Sequence, residues 1–347
     1  MSTVHKFHFT DPARSDAAIP AAATPPVRRA SGPTARQHPD GHADRHVPNG
    51  PRWARPMFVR LPAMGVVLVA TWAAVPGLLM AVTGTSDPFD NAHPLTTLLI
   101  GLPGAIVMLA LYTGLVRWLE GRTVTELQPS TAAGGLARGA LVGLTMFLTV
   151  IGVLAALGHF RVTGTGPASS VATALGLMSF AAVAEELIFR GVIFRLVESR
   201  LGTWVALAVS AVLFGAMHLI GNPNATVWAA CAIALEAGVM FAAAYAATRK
   251  LWVPIGIHFA WNFIGSLFGG SVAGSSVGIP PSLLTSVYDG PAALTGGSFG
   301  PEAGVPTLLL GFGIGVVFLV VAARRGNLQP AAVRRTTIST VSASASR

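Results

Sequence analysis

Residues 170–194 read SVATALGLMSFAAVAEELIFRGVIF, an apolar run in which the only charged residues are Glu185, Glu186 and Arg190. A helix needs about 20 mostly apolar residues to cross the ~30 Å hydrocarbon core of a membrane. This run is long enough to do so, and its charged residues lie well inside it. The segment therefore predicts a membrane-spanning helix that carries ionisable groups within the membrane.

Similar apolar runs lie on both sides of this segment. Eight segments qualify as spans, at 58–83, 94–116, 137–158, 170–194, 202–220, 225–247, 252–270 and 304–323. The composition agrees, because 52% of the residues are hydrophobic and only 11% are charged, whereas a soluble domain carries about 25% charged residues. We predict an all-α polytopic membrane protein with about eight transmembrane helices.

The two ends of the chain differ from this apolar middle. Residues 1–55 are rich in Pro, Ala, Arg and His and have almost no large apolar side chains, which predicts disorder. Residues 326–347 form a second tail of this kind, rich in Ser, Thr and Ala. The predicted transmembrane domain is therefore 56–325, and its Gly/Ser/Pro-rich segment 271–303 is expected to be loop-like or partly re-entrant.

The charge distribution predicts the orientation. With eight spans, 21 of the 23 Lys and Arg residues fall on one side, and the positive-inside rule makes this side cytoplasmic, with both termini. The net charge of +9 is then mostly a topology signal. We expect the plasma membrane of a bacterium as the location, and anionic lipid rather than nucleic acid as the partner of the basic face.

Ionisable groups inside spans cost about 2.5–3.5 kcal/mol each on insertion scales and are functional candidates. Glu186 and Arg190 are i,i+4 neighbours and can pair, and a structural ion pair is an equal alternative to a functional one. Glu185 lies about 100° further around the helix and has no cation at helical spacing. Burial disfavours its charged form, as a general base near neutral pH requires.

Three later spans carry further polar groups. His258 and Asn262 lie on one face of span 7, where two donors suit a developing oxyanion. His218 follows small residues in span 5, and a lone histidine there is more often a packing residue. Glu236 in span 6 is expected to be structural or to support the site indirectly. The single cysteine, Cys231, excludes a disulfide framework.

The order of these residues is more informative than any one of them. Glu-Glu-x-x-x-Arg, Phe-x-x-x-His and His-x-x-x-Asn follow each other on three spans. This order resembles the CPBP family (CAAX prenyl protease 2 and bacteriocin-processing, or Abi-type) of intramembrane proteases. The resemblance covers about residues 170–265, and every motif position is present: Glu185, Glu186, Arg190, Phe214, His218, His258 and Asn262.

The resemblance implies an intramembrane endopeptidase acting on a peptide or membrane-protein substrate. Glu185 is implied to take a proton from a water that His218 positions, so that the water attacks a peptide carbonyl. His258 and Asn262 are implied to stabilise the oxyanion. The remaining motif positions are implied to support the site: Glu186, Arg190 and Phe214.

A metal-dependent alternative stays open. Members of the family are often labelled metalloproteases, which would make Zn²⁺ the cofactor and His218, His258 and Glu185 its ligands. No H-E-x-x-H helix is present and the two histidines lie on separate spans, so the metal-independent mechanism is favoured. The spans also place His218 near an outer end and Glu185 at mid-span, unless span 5 is tilted, displaced or broken.

Two other classes of function compete with a protease. One is a non-catalytic membrane scaffold or immunity protein, which needs the helix bundle but not the polar motifs. The other is a proton-coupled transporter, since buried Glu and His also form proton relays. Neither class accounts for all three motifs in this order.

Overall fold

The computed structural model describes residues 51, 53, 56–85, 93–220, 222–269, 272, 274 and 282–331. Both predicted disordered tails, 1–55 and 326–347, lie mostly outside these residues. The α-helices are α1 Met57–Thr83, α2 Pro94–Leu115, α3 Ala132–Ala156, α4 Ser170–Glu186, α5 Arg195–Met217, α6 Val227–Ile233, α7 Val239–Thr248, α8 Trp252–Leu267, α9 Ala292–Thr295 and α10 Val305–Arg324. The wider turns of π-helix extend α2 and join α4 to α5 and α6 to α7, at Val116–Glu120, Leu187–Phe194 and Ala234–Gly238.

The all-α polytopic membrane fold is confirmed. Among the described residues, six helical segments are long and apolar enough to cross a membrane: Met57–Thr83, Pro94–Glu120, Pro129–Ala156, Ser170–Met217, Val227–Thr248 and Val305–Arg324. The fourth of these contains two predicted spans, which meet at a kink at Gly202. The remaining predicted span is α8, which has only 16 residues and is largely buried by its neighbours.

The turn between the fourth and fifth spans differs from the prediction. A loop was expected at 195–201, but the helix continues to Gly202, because residues 195–201 contain no Gly or Pro to end it. Gly202 takes φ 81° and ψ 169°, a backbone conformation that glycine adopts without strain. The C-terminal segment packs on this kink, where the Thr203 amide donates to the carbonyl of Gln329 at 2.9 Å.

A row of glycines brings α3 and α8 into backbone contact. Gly135, Gly139 and Gly143 of α3 face α8, and a Cβ added at Gly139 would lie 2.2 Å from the carbonyl oxygen of Val253. Small residues at every fourth position allow membrane helices to approach this closely. Since α8 carries His258 and Asn262, this contact fixes the helix on which two of the predicted site residues lie.

Replacing Gly139 with Ala is therefore expected to push α8 away from α3. Overpacking of this kind costs about 1–3 kcal/mol, so we expect a lower midpoint of unfolding in mixed detergent and a lower rate of substrate turnover. Gly152→Ala is the matched control, because it lies on the same helix with no atom within 4 Å of the added Cβ. Equal effects of the two substitutions would contradict close packing at Gly139.

The segment expected to be loop-like or re-entrant is partly a strand. β2 (Leu284–Tyr288) pairs antiparallel with β1 (Phe160–Thr165), the link between α3 and α4. Both strands carry β-branched and aromatic residues, which favour this conformation, but each is too short to stand out in the sequence. Further along, Glu302 is buried and its Oε1 accepts a 2.7 Å hydrogen bond from Trp261 Nε1 of α8.

Candidate active site

A fully buried ion pair forms the centre of the candidate site. Glu186 Oε1 lies 2.8 Å from Arg190 Nη1, and both side chains are 0% exposed, so the predicted i,i+4 pair is present. Arg190 Nη2 also donates to the carbonyls of Gly238 (3.1 Å) and Ala237 (3.4 Å). The π turn over Ala234–Gly238 changes the local backbone hydrogen bonding, which leaves these carbonyls able to accept from a side chain.

Aromatic rings surround the guanidinium of Arg190. Its Cζ lies 4.5 Å from the ring centre of Phe214, 5.0 Å from that of Phe241 and 6.0 Å from that of Phe189. These are cation–π distances. Phe214 was predicted from its motif, whereas Phe241 was missed, because α7 is apolar throughout and nothing in its sequence distinguishes this ring.

His258 connects the two glutamates. Its Nδ1 lies 3.1 Å from Glu186 Oε1, and its Nε2 lies 3.8 Å from Glu185 Oε2. The imidazole is stacked on Phe241, with ring centres 4.9 Å apart and planes 18° apart. Glu186 thus orients both Arg190 and His258. The second ring nitrogen of His258, Nε2, is turned to Glu185, which keeps some exposure to solvent (9%).

His218 joins the same cluster through Phe214. Its Nδ1 lies 2.7 Å from the Phe214 carbonyl, and the Phe214 ring makes edge contacts with both His218 and His258, at 5.0 and 6.0 Å. The structure thus brings His218 into the cluster that contains Glu185, although the sequence assigned these two residues to different depths.

The depth discrepancy arose from the predicted end of span 4. Ser210 Oγ donates to the carbonyl of Phe189 at 3.2 Å, which aligns α5 with the π segment. Glu185 lies one turn before Phe189 and Phe214 one turn after Ser210, so these two residues share a level. Because the helix runs on to Gly202 before it reverses, His218 lies only about one turn, or 5.4 Å, beyond that level.

Asn262 is related to the cluster by its position on α8. It lies one turn after His258 on the same face of α8 and is 9% exposed. Its backbone carbonyl accepts a 2.8 Å hydrogen bond from Ser266 Oγ.

Glu236 packs against α10, where a Cβ added at Gly311 would lie 3.0 Å from Glu236 Oε2.

The zinc alternative names His218, His258 and Glu185 as ligands. Among the residues that the structure describes, no three His, Cys, Asp or Glu side chains converge in a way that could hold a metal ion. His258 turns its two nitrogens to Glu186 and Glu185, and His218 Nδ1 faces a backbone carbonyl. Each histidine thus uses Nδ1 in a hydrogen bond within the protein, an arrangement that orients the imidazole in either mechanism.

Comparison with known proteins supports the resemblance seen in the sequence. Residues 167–264 match a family model described as Type II CAAX prenyl endopeptidase Rce1-like. The matched domain is a little over a quarter of the chain and contains all seven motif residues. At the level of the family, the match supports an intramembrane endopeptidase of the CAAX-protease type. Neither the curated proteins nor the solved structures gave a match to the chain.

Proposed function

We propose that the Rce1-like domain of this membrane protein hydrolyses a peptide bond with a water activated by Glu185. The observation that carries the proposal is the 3.8 Å separation of Glu185 Oε2 and His258 Nε2. This distance is too long for a direct hydrogen bond, and the two atoms face each other within a buried cluster. A single water can contact both groups.

The hydrolytic step needs only groups of this cluster. Glu185 accepts a proton from the water, and the resulting hydroxide attacks the carbonyl carbon of the scissile peptide bond. His218, on the neighbouring level of α5, orients the water. Glu185 then returns the proton to the amine nitrogen as the C–N bond breaks, so the catalyst ends in its starting state.

The oxyanion of the tetrahedral intermediate is assigned to His258 and Asn262. Both lie on one face of α8, and preorganised donors at this point stabilise the developing charge. The Glu186 carboxylate accepts from His258 Nδ1–H, which fixes the orientation of the imidazole. The oxyanion role requires His258 as the imidazolium, the form in which Nε2 also carries a hydrogen to donate. Arg190 and its aromatic neighbours hold Glu186 in place, which makes them positioning residues.

The depth of the site supports a membrane-associated peptide as substrate. Glu185 lies ten residues before Arg195, and His258 lies seven residues after Leu251. At 1.5 Å per residue, both are about 10–15 Å along their helices from the predicted cytoplasmic end. A cleavable segment must therefore reach into the bilayer. Both termini cytoplasmic, a bacterial plasma membrane and anionic lipid at the basic face are part of this proposal.

Cleavage by the purified protein in liposomes tests the proposal. Membrane peptides are supplied, and new termini are identified by mass spectrometry with wild-type protein and with His218→Ala. We expect cleavage by the wild type only, at a rate that chelators such as EDTA and 1,10-phenanthroline leave unchanged. Identical peptide profiles for the two proteins would overturn the protease assignment. Loss of activity with chelator that added Zn²⁺ restores would instead overturn the metal-independent mechanism.

A further inference from the structure

An ion cluster lies at the predicted cytoplasmic end of the bundle, away from the candidate active site. We call it the Glu126 cluster, and its members are Tyr112, Glu120, Arg122, Glu126 and Arg195. Arg122 donates to Glu126 Oε1 at 2.6 Å and to Glu120 Oε2 at 2.7 Å, while Arg195 Nη2 lies 2.8 Å from Glu120 Oε1. Both carboxylates are almost completely buried, at 2–3% exposure.

The Glu126 cluster contacts the π segment that follows the motif glutamates. The carbonyl of Gly191, next to Arg190, accepts from Arg195 Nε at 2.8 Å and lies 3.0 Å from the Tyr112 hydroxyl. The same hydroxyl lies 2.6 Å from Glu126 Oε1. Gly191 has no room for a side chain, since an added Cβ would lie 2.8 Å from the Tyr112 ring. Tyr112 is thus packed directly on the segment.

Glu126 also holds the beginning of the helix that carries His258. Its backbone carbonyl accepts a 3.0 Å hydrogen bond from the amide of Leu251, the residue before α8. Lys250 Nζ donates to the neighbouring Thr125 carbonyl at 2.7 Å. The main chain of Glu126 thus binds the residue that precedes α8. Its side chain binds Tyr112, which in turn contacts the π segment that follows α4.

We propose that Glu126 and Tyr112 are positioning residues that set the distance between Glu185 and His258. The inference rests on the proposed function, because this distance matters only if the two side chains share a reacting water. Glu126 and Tyr112 lie outside the cluster that would contact substrate. They act by linking α4, which carries Glu185, and α8, which carries His258, to the same cluster.

The charge of Glu126 persists over the pH range in which membrane proteases are assayed. Burial alone would raise its pKa, but hydrogen bonds from Arg122 and Tyr112 and the charge of Arg195 outweigh burial and lower the pKa to about 2. A folded-state pKa below the usual value of 4.5 means that the stabilisation is complete at neutral pH. It is lost only as the pH falls toward 2.

Two substitutions that preserve shape test the inference. Glu126→Gln removes the charge, and Tyr112→Phe removes the hydroxyl that reaches Gly191. We expect kcat to fall about 10- to 100-fold, since misplacement of reacting groups by about 1 Å has effects of this size, with KM changed less than about twofold. Because Gln keeps an acceptor for Tyr112, Glu126→Gln should retain more activity than Glu126→Ala.

Glu198→Gln is the matched control. Glu198 is equally buried at 3% exposure and is bound by Arg249 at 2.5 Å and Thr203 at 2.6 Å, but these contacts hold the Gly202 kink. We expect this variant to lower the melting temperature and to reduce kcat less than Glu126→Gln does, because the kink sets the level of His218 and not the distance between Glu185 and His258. Unchanged kcat in both Glu126→Gln and Tyr112→Phe, or an equal loss of kcat in Glu198→Gln, would overturn the positioning role.

Failure of the inference can be separated from failure of the proposed function by including Glu185→Gln in the same assay. If Glu185→Gln is inactive and Glu126→Gln turns over like the wild type, only the positioning role is wrong. If Glu185→Gln cleaves peptide at the wild-type rate, the proposed mechanism is wrong, and the inference with it.

Discussion

Replacement of Glu185 with Gln is expected to lower the rate of peptide hydrolysis about 10²–10⁴-fold, the contribution of a positioned general base. The amide has the size of the carboxyl group but cannot accept the proton of the attacking water. The ion pair of Glu186 and Arg190 does not include Glu185, so the fold should be retained. Initial rates of peptide cleavage in liposomes measure the effect, and the melting temperature reports folding.

Glu236→Gln makes the same chemical change at another buried carboxyl group of the bundle. Because Glu236 packs against Gly311 of α10, this control should cleave at close to the wild-type rate. Equal losses in the two variants would mean that removal of any buried carboxylate inactivates the protein. Full activity of Glu185→Gln would show that another group activates the water.

Replacement of Arg190 with Leu is expected to cause the largest loss of stability. The substitution leaves the Glu186 carboxylate fully buried with His258 as its remaining partner in the cluster, and it removes the donors to Gly238 and Ala237. Breaking a buried ion pair by removing one partner costs about 3–5 kcal/mol. The free energy of unfolding, measured by titration with SDS in mixed detergent, should fall by this amount.

The double variant Glu186→Gln, Arg190→Met shows whether the unpaired charge causes that loss. Because both charges are absent, this variant should be more stable than Arg190→Leu, although it should also be inactive. If the double variant is no more stable than the single one, packing around the guanidinium, rather than its charge, dominates. That outcome would assign the stabilising role to the rings of Phe214 and Phe241.

The sequence predicted the spans and the polar residues of the site because both depend on composition and spacing. A membrane span requires a long apolar run, and Glu186 and Arg190 must meet on any helix that contains them. The match of residues 167–264 to the Rce1-like model confirms the family resemblance. The catalytic roles of Glu185, His218, His258 and Asn262 remain predictions that the variants above test.

The features that were missed depend on contacts between distant segments. Phe241 stacks on His258, but nothing in the apolar α7 marks it out. The helix continues to Gly202, which places His218 close to the level of Glu185. The predicted loop at 195–201 gave the wrong depth for His218. The Leu251 amide bonds to Glu126, a contact between residues far apart in sequence that no local pattern signals.

The π segment Leu187–Phe194 lets one membrane helix contact two separate side-chain clusters. A π turn holds about one residue more than an α turn, so the side chains in and after this segment face directions that an uninterrupted α-helix would not give them. Glu186 and Arg190 face the cluster around Phe214, while Gly191 and Arg195 face Tyr112 and Glu120. One membrane helix therefore supplies residues both to the candidate active site and to the Glu126 cluster.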